Sequence, residues 1–154
     1  MRRVERSRWA VVRAGVRGLV AAMAMTGTRT VTASIGHQEQ SPPEAIVEEY
    51  APPQVRWLPE RHREAIIELL HWTYGAGGGV VFGLLPARVR GHPVSGPVYG
   101  LAVWLAFELG VAPLLGVERS KQRHVLWPAM VALDHVLYGV VVAGRLAPEP
   151  SVRP

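Results

Sequence analysis

The fold of this chain is decided by the stretch His71-Trp-Thr-Tyr-Gly-Ala-Gly-Gly-Gly-Val-Val-Phe-Gly-Leu-Leu-Pro86. No formally charged residue occurs from 69 to 87, and glycine recurs every four positions at Gly75, Gly79 and Gly83. In water each glycine would weaken a helix by up to about 1 kcal/mol. In lipid, small residues at this spacing form one face on which a neighbouring helix packs closely. The stretch therefore predicts a membrane-spanning helix with a packing face.

Three further apolar blocks accompany this stretch, and the four together predict an all-α fold. About 20 helical residues cross the ~30 Å hydrocarbon layer of a bilayer. The expected architecture is an integral membrane four-helix bundle, built as a single transmembrane domain over 14–144. Its predicted spans are 14–36, 65–87, 96–117 and 124–144.

Polar segments border and separate these blocks. A basic cytoplasmic arm is predicted over 1–13, a polar loop over 37–63 and a disordered tail over 145–154. Prolines in the loop and in the tail oppose long helices there. The tail also offers too little apolar surface to hold a fixed structure.

The first block, 14–36, is the weakest of the four predicted spans. Arg13 and Arg17 stand at its start, where their long side chains could reach the membrane interface, and Arg29 interrupts its far end. A cleaved signal peptide is the alternative, because a basic start, a short apolar core and the small residues of Ala22-Met-Ala24 fit that pattern. The basic region is long for a signal, which favours a span or an anchor.

Charge predicts that both termini lie in the cytoplasm. The chain has 17 Lys and Arg against 12 Asp and Glu, a net charge of +5, and no cysteine. With four spans, the side that holds both termini carries ten basic residues and the other side six, and cytoplasmic segments are the more basic ones. The six arginines of 1–17 suit anionic lipid, and no nucleic-acid recognition motif accompanies them. No nucleic-acid partner is therefore expected.

Ionisable side chains at membrane depth form the candidate site, because such groups are rare in lipid and mark functional positions. With the spans as predicted, Glu108 and Asp134 lie within about 3 Å of the bilayer midplane and His71 about 6 Å outward. A carboxylate and a histidine on facing helices would relieve the cost of burying either group. The candidate cluster is His71, Glu108, Asp134, His135 and Glu68. Two interpretations stay open, a hydrogen-bonded plug that fixes helix register and a group that handles protons or ions.

Motifs for other chemistry are incomplete. Glu68-Leu-Leu-His71 is a Glu-x-x-His pair, but di-iron bundles use two such pairs and two further glutamates. The glycines of 75–79 lack the Lys and Ser or Thr of a phosphate-binding loop, and no Gly-x-Ser-x-Gly nucleophile motif occurs. No cofactor, metal or catalytic residue is therefore predicted. The glycines have instead a predicted role in helix packing, at Gly75, Gly79, Gly83, Gly100 and Gly139.

Four glycine-containing motifs follow one another along the chain. They are Gly18-Leu-Val-Ala-Ala-Met, His71-Trp-Thr-Tyr-Gly-x-Gly-Gly-Gly, Gly96-x-Val-Tyr-Gly100-Leu-Ala-Val-Trp104 with Glu108, and Asp134-His-Val-Leu-Tyr-Gly139. In this order they resemble a group of uncharacterised small bacterial inner-membrane proteins similar to YagU. The resemblance covers most of 14–144 and implies a multi-pass location in the cell inner membrane. It supplies no catalytic residue.

The sequence thus predicts a non-enzymatic accessory or interaction protein of the cell envelope. Its expected partners are the lipid bilayer and, through the glycine faces, a second copy or another membrane protein. A small transporter or proton- or ion-conducting oligomer is the first alternative, and a membrane metal-dependent enzyme using Glu68 and His71 is the second. A soluble helical domain, with the four blocks packed into one core, is a further alternative.

Overall fold

The computed structural model describes residues 2–34, 47, 50–114 and 126–145 of the chain. These residues are mainly helical and include no strand, which confirms the predicted all-α class. The long helices are α1, α3, α5 and α7. In chain order the helices are α1 (Arg2–Ser34), α2 (Pro53–Arg56), α3 (Glu60–Leu84), α4 (Ala87–Arg90), α5 (Ser95–Ala106), a π-helical segment (Phe107–Val111), α6 (Ala112–Leu114) and α7 (Leu126–Val142).

Helices α1 and α3 run antiparallel and approach each other through small residues. Gly79 lies against the backbone of Ala14, and one turn further along α3, Gly83 lies against Val11. At the other end of the contact, Gly75 faces Ala22. A Cβ atom built on Gly79 would collide with the Ala14 carbonyl, so only glycine allows the two backbones to come this close.

Helices α5 and α7 form a second antiparallel pair with the same construction. Gly96 lies against Gly139 and the Ala143 methyl group, and Gly100 lies against the backbone of His135. The two pairs join where α1 packs on α7. The core at this junction consists of Ala14, Ala21, Phe82, Tyr138 and Val142, all buried.

The polar loop predicted over 37–63 is partly helical and packs on α3. Val47 and Ala51 form a small buried cluster with Ile67, and the Ala51 N–H donates to the Val47 carbonyl at 3.0 Å. Helix α3 begins at Glu60, directly after Pro59, which is earlier than the predicted start at 65. The loop is therefore anchored to one side of α3.

The structure differs from the sequence prediction in two further places. The basic arm predicted over 1–13 is helical from Arg2 onward, because α1 runs without a break from Arg2 to Ser34. The span predicted over 96–117 is not a single regular helix, because a π-helical segment follows α5 at Phe107. The predicted disordered tail lies outside the described residues beyond Arg145.

Within the described residues, one helical segment is long and apolar enough to cross a membrane, by length and composition: Arg8–Thr28 of α1. The apolar segments Ser95–Val111 and Ala129–Val142 are shorter. This reverses the predicted ranking, in which the first block is the weakest span. In α1 the stretch 18–28 contains no charged residue. The mean hydropathy of α3 is reduced because its first turns are charged and because glycine is only weakly apolar.

Candidate functional site

The five polar residues predicted as a cluster lie on three helical elements. Glu68 and His71 belong to α3, Asp134 and His135 belong to α7, and Glu108 lies in the π-helical segment after α5. All five side chains are partly buried. Each of them is therefore partly covered by neighbouring residues and partly accessible.

Glu68 is held at the contact between α1 and α3. The Thr26 hydroxyl donates to the Glu68 carboxylate at 2.5 Å, and the indole N–H of Trp72 donates to the Thr26 hydroxyl at 3.1 Å. Trp72 is one helical turn from Glu68, so both side chains reach the same point on α1. This arrangement gives Glu68 a role in joining the two helices.

Glu108, Asp134 and His135 are brought together on the α5–α7 side. The carboxyl groups of Asp134 and Glu108 are both close enough to His135 to interact with it electrostatically. The Nδ1–H of His135 donates to the Val131 carbonyl at 2.8 Å, since a carbonyl can only accept. In the neutral ring, Nε2 is then the nitrogen that accepts a proton.

His71 lies at the same level of the helix packing as Asp134. The Tyr138 hydroxyl on α7 donates to the Gly75 carbonyl on α3 at 2.6 Å. His71 and Asp134 each precede these two residues by four positions. Because residues four apart are one helical turn apart, His71 and Asp134 each lie one turn before the Tyr138–Gly75 hydrogen bond, and His71 shares the face of Gly75, which packs on α1.

Two tyrosines join α3 to the second helix pair. Tyr138 reaches the Gly75 carbonyl, and the Tyr99 hydroxyl on α5 donates to the Gly78 carbonyl at 2.6 Å. The Tyr99 ring also meets Phe82 edge to face, with 5.1 Å between ring centroids. The sequence prediction missed this role. The sequence feature that could have revealed this role is the pair Tyr-Gly. It occurs in the second, third and fourth apolar blocks, at 74–75, 99–100 and 138–139.

The predicted packing glycines all lie buried at helix contacts. Three of them, Gly75, Gly79 and Gly83, line the α3 face toward α1, whereas Gly100 and Gly139 meet between α5 and α7. Gly77, on another face of α3, has no atom within 4 Å of the position of a Cβ. The four-residue spacing therefore separates contact glycines from exposed ones on one helix.

No group of three or more His, Asp or Glu side chains that could hold a metal ion occurs in the part of the chain that the structure describes. Glu68 and His71 have the spacing of a metal-binding pair, but Glu68 is engaged by Thr26. Glu108, Asp134 and His135 can each hold or release a proton, because carboxylates and imidazole are acids and bases.

Comparisons of the chain with family models, with curated proteins and with solved structures gave no significant match. The resemblance to small bacterial inner-membrane proteins therefore stays a prediction.

Proposed function

We propose that this chain is a multi-pass protein of the inner membrane that acts as an accessory or interaction protein of the cell envelope, without an enzymatic activity. The observation that carries the proposal is the distribution of small and large side chains between the helix contacts and the outer surface. Buried helix contacts are made mainly by glycine and alanine, while large apolar side chains face outward. Ala14, Ala21 and Ala22 are at most 4% exposed, and Phe82 and Tyr138 are the large side chains of the core between the two helix pairs.

The outward-facing apolar side chains occur on every long helix. Leu84 is 68% exposed, Leu109 67% and Val98 58%, and α1 and α7 expose valine and leucine in the same way. In water such surface favours aggregation or a partner. In a bilayer it meets lipid at no cost, and close packing through small residues then holds the helices together. The distribution supports a lipid environment for all four long helices.

The proposed orientation of the protein in the membrane follows from the arginines at one end of the helices. Arg13 and Arg17 on α1 and Arg90 on α4 line one pocket there, and Arg145 after α7 donates to the Gly91 and His92 carbonyls. Cytoplasmic ends are the more basic ones. We therefore place this end, with both termini, in the cytoplasm.

Membrane insertion and orientation can be tested together by cysteine labelling, because the chain has no cysteine of its own. Trp57, 85% exposed, precedes α3, and Arg88 follows it. The 25 residues of α3 extend over about 37 Å. We expect a membrane-impermeant maleimide to label Trp57→Cys in intact spheroplasts and to label Arg88→Cys only after lysis.

A carbonate wash of membranes is the control for that experiment. The wild-type chain and both cysteine variants should remain in the membrane fraction. Release into the soluble fraction, or equal labelling of both positions in intact spheroplasts, would contradict the proposal and favour a soluble helical domain.

The electrostatic group around His135 favours one second candidate, a proton- or ion-conducting protein. Glu108 lies in a π-helical segment, and such segments are frequent at functional sites. Together with Asp134 and His135, it could pass protons between α5 and α7.

For this second candidate, Glu108→Gln should abolish a pH-dependent flux in liposomes, because the amide cannot accept and release a proton at neutral pH. Glu64→Gln is the matched control, since Glu64 is exposed near the start of α3 and should leave the flux unchanged. Absence of flux in the wild type, or an equal flux in Glu108→Gln, rules out the candidate.

A further inference from the structure

A pocket of about 290 Å³ opens at the arginine-rich end of the helices. Four parts of the chain meet there: the first half of α1, the end of α3, α4 and the end of α7. Its apolar lining includes the buried residues Ala14, Phe82 and Val142, and its basic lining residues are Arg13, Arg17 and Arg90. Among the described residues that line it, none is acidic.

A backbone hydrogen bond positions one of these arginines, and a second lies close to a glycine. The Nε–H of Arg90 donates to the Leu85 carbonyl at 2.9 Å, which uses one of the five guanidinium N–H donors. The Arg17 guanidinium lies against Gly144, whose φ of +72° ends α7. A side chain at Gly144 would overlap that guanidinium. A substitution at Gly144 would therefore strain the backbone and displace the end of the Arg17 side chain.

Hydrogen bonds from Arg145, which lies outside the pocket lining, hold the segment after α4 in place. The Arg145 guanidinium donates to the Gly91 carbonyl at 3.1 Å and to the His92 carbonyl at 2.6 Å. These bonds join the end of α7 to the turn that follows α4. The position of Gly91 relative to the end of α7 is thus fixed before any ligand enters, and a preformed site loses less entropy on binding.

We propose that this pocket binds a phosphate group. Three arginines line one small space, and a guanidinium group offers paired N–H donors, a geometry that matches phosphate oxygens. The apolar floor suits the glycerol and the first acyl carbons of a phospholipid, and basic pockets between helices on the cytoplasmic side bind anionic headgroups. The volume is close to the lower end of the ~300–1,000 Å³ found for ligand pockets, which fits a headgroup-sized ligand.

The phosphate could come from an anionic lipid or from a soluble phosphate ester. Only the lipid source rests on the proposed membrane location, since the arginine geometry is the same in either case. The two sources are separated by the probes: phosphatidylglycerol or cardiolipin on one side and inorganic phosphate on the other, with phosphatidylcholine as the zwitterionic reference.

Native mass spectrometry of the full chain in detergent tests the site with two charge-matched pairs of variants. Arg13→Gln and Arg90→Gln should weaken phosphatidylglycerol binding about tenfold, because each loses hydrogen bonds to a charged group. Arg8→Gln on α1 and Arg88→Gln on α4 remove the same charge from side chains that do not line the pocket. They should weaken binding less than about twofold, as expected for surface charges.

The outcomes are distinct. Equal weakening in all four variants, or equal binding of phosphatidylcholine, overturns the proposal, because binding would then follow overall charge or acyl chains. Arg90→Gln also removes the bond to Leu85, so Arg13→Gln with an unchanged helical circular dichroism spectrum decides the result. Inorganic phosphate binding with the same variant pattern identifies a soluble source. If carbonate also releases the chain from membranes, the membrane proposal fails while the phosphate site stands.

Discussion

Replacing Gly79 with leucine is expected to separate α1 from α3 and to lower the free energy of unfolding by about 3 kcal/mol or more. The Cβ of the new side chain would occupy the position of the Ala14 carbonyl and would lie 3.0 Å from the Gly15 Cα. Both are backbone atoms, so no side-chain rotation relieves the overlap, and the helices must move apart. Unfolding in mixed detergent micelles, followed by helical circular dichroism, measures the loss.

Gly77→Leu is the matched control for that change. Gly77 is two residues away on α3, is exposed, and has no atom within 4 Å of a Cβ position. Both substitutions change the intrinsic helix propensity equally, so only the contact with α1 distinguishes them. An exposed-arginine change such as Arg88→Gln should stay within about 0.5 kcal/mol. Equal stability of the two leucine variants would mean that α1 does not pack here.

Replacing Gly100 with leucine is expected to have the second largest effect, because it separates α5 from α7. A Cβ on Gly100 would overlap the His135 carbonyl and come within 3.2 Å of the Gly139 backbone nitrogen. We expect a loss of about 3 kcal/mol or more, measured by the same unfolding titration. The shift of α7 would also displace His135 from Glu108, so the variant disrupts the polar group as well as the packing.

Gly110→Leu is the control on the same chain segment. Gly110 lies in the π-helical segment, and a Cβ there meets nothing within 4 Å. Its effect should remain well below that of Gly100→Leu. A large loss for Gly110→Leu together with a small loss for Gly100→Leu would show that the π-helical segment, and not the glycine contact, holds the second pair.

The helical class could be predicted from the sequence because uncharged blocks with four-residue glycine spacing do not fit strands. The faces of close approach could be inferred for the same reason, since residues four apart share one side of a helix. For Glu68, spacing along the helix did not predict the contact that the side chain makes. Its spacing from His71 resembled a metal-binding pair, while the structure joins it to Thr26, 42 positions earlier in the chain.

The features that the sequence did not predict depend on tertiary placement. The π-helical segment at Phe107–Val111 has no residue pattern that distinguishes it from a regular turn. The pocket combines Arg13, Arg90 and Val142, which are distant along the chain and meet only when α1, α4 and α7 converge. Likewise, the hydroxyl of Tyr138 finds its acceptor 63 positions away. The spacing of residues along the chain does not show which distant residues come into contact.

The first and last helices of the described chain are neighbours in the core, and this imposes an order on biosynthesis. Ala14 and Ala21 of α1 pack with Tyr138 and Val142 of α7. A growing chain can fold from its N-terminal end while the ribosome is still adding residues, so α1 and α3 can pair early. The alanine face of α1 must then wait for the last helix. A product that stops before 126 leaves this alanine face uncovered, so an unfinished chain differs from a finished one in its exposed surface.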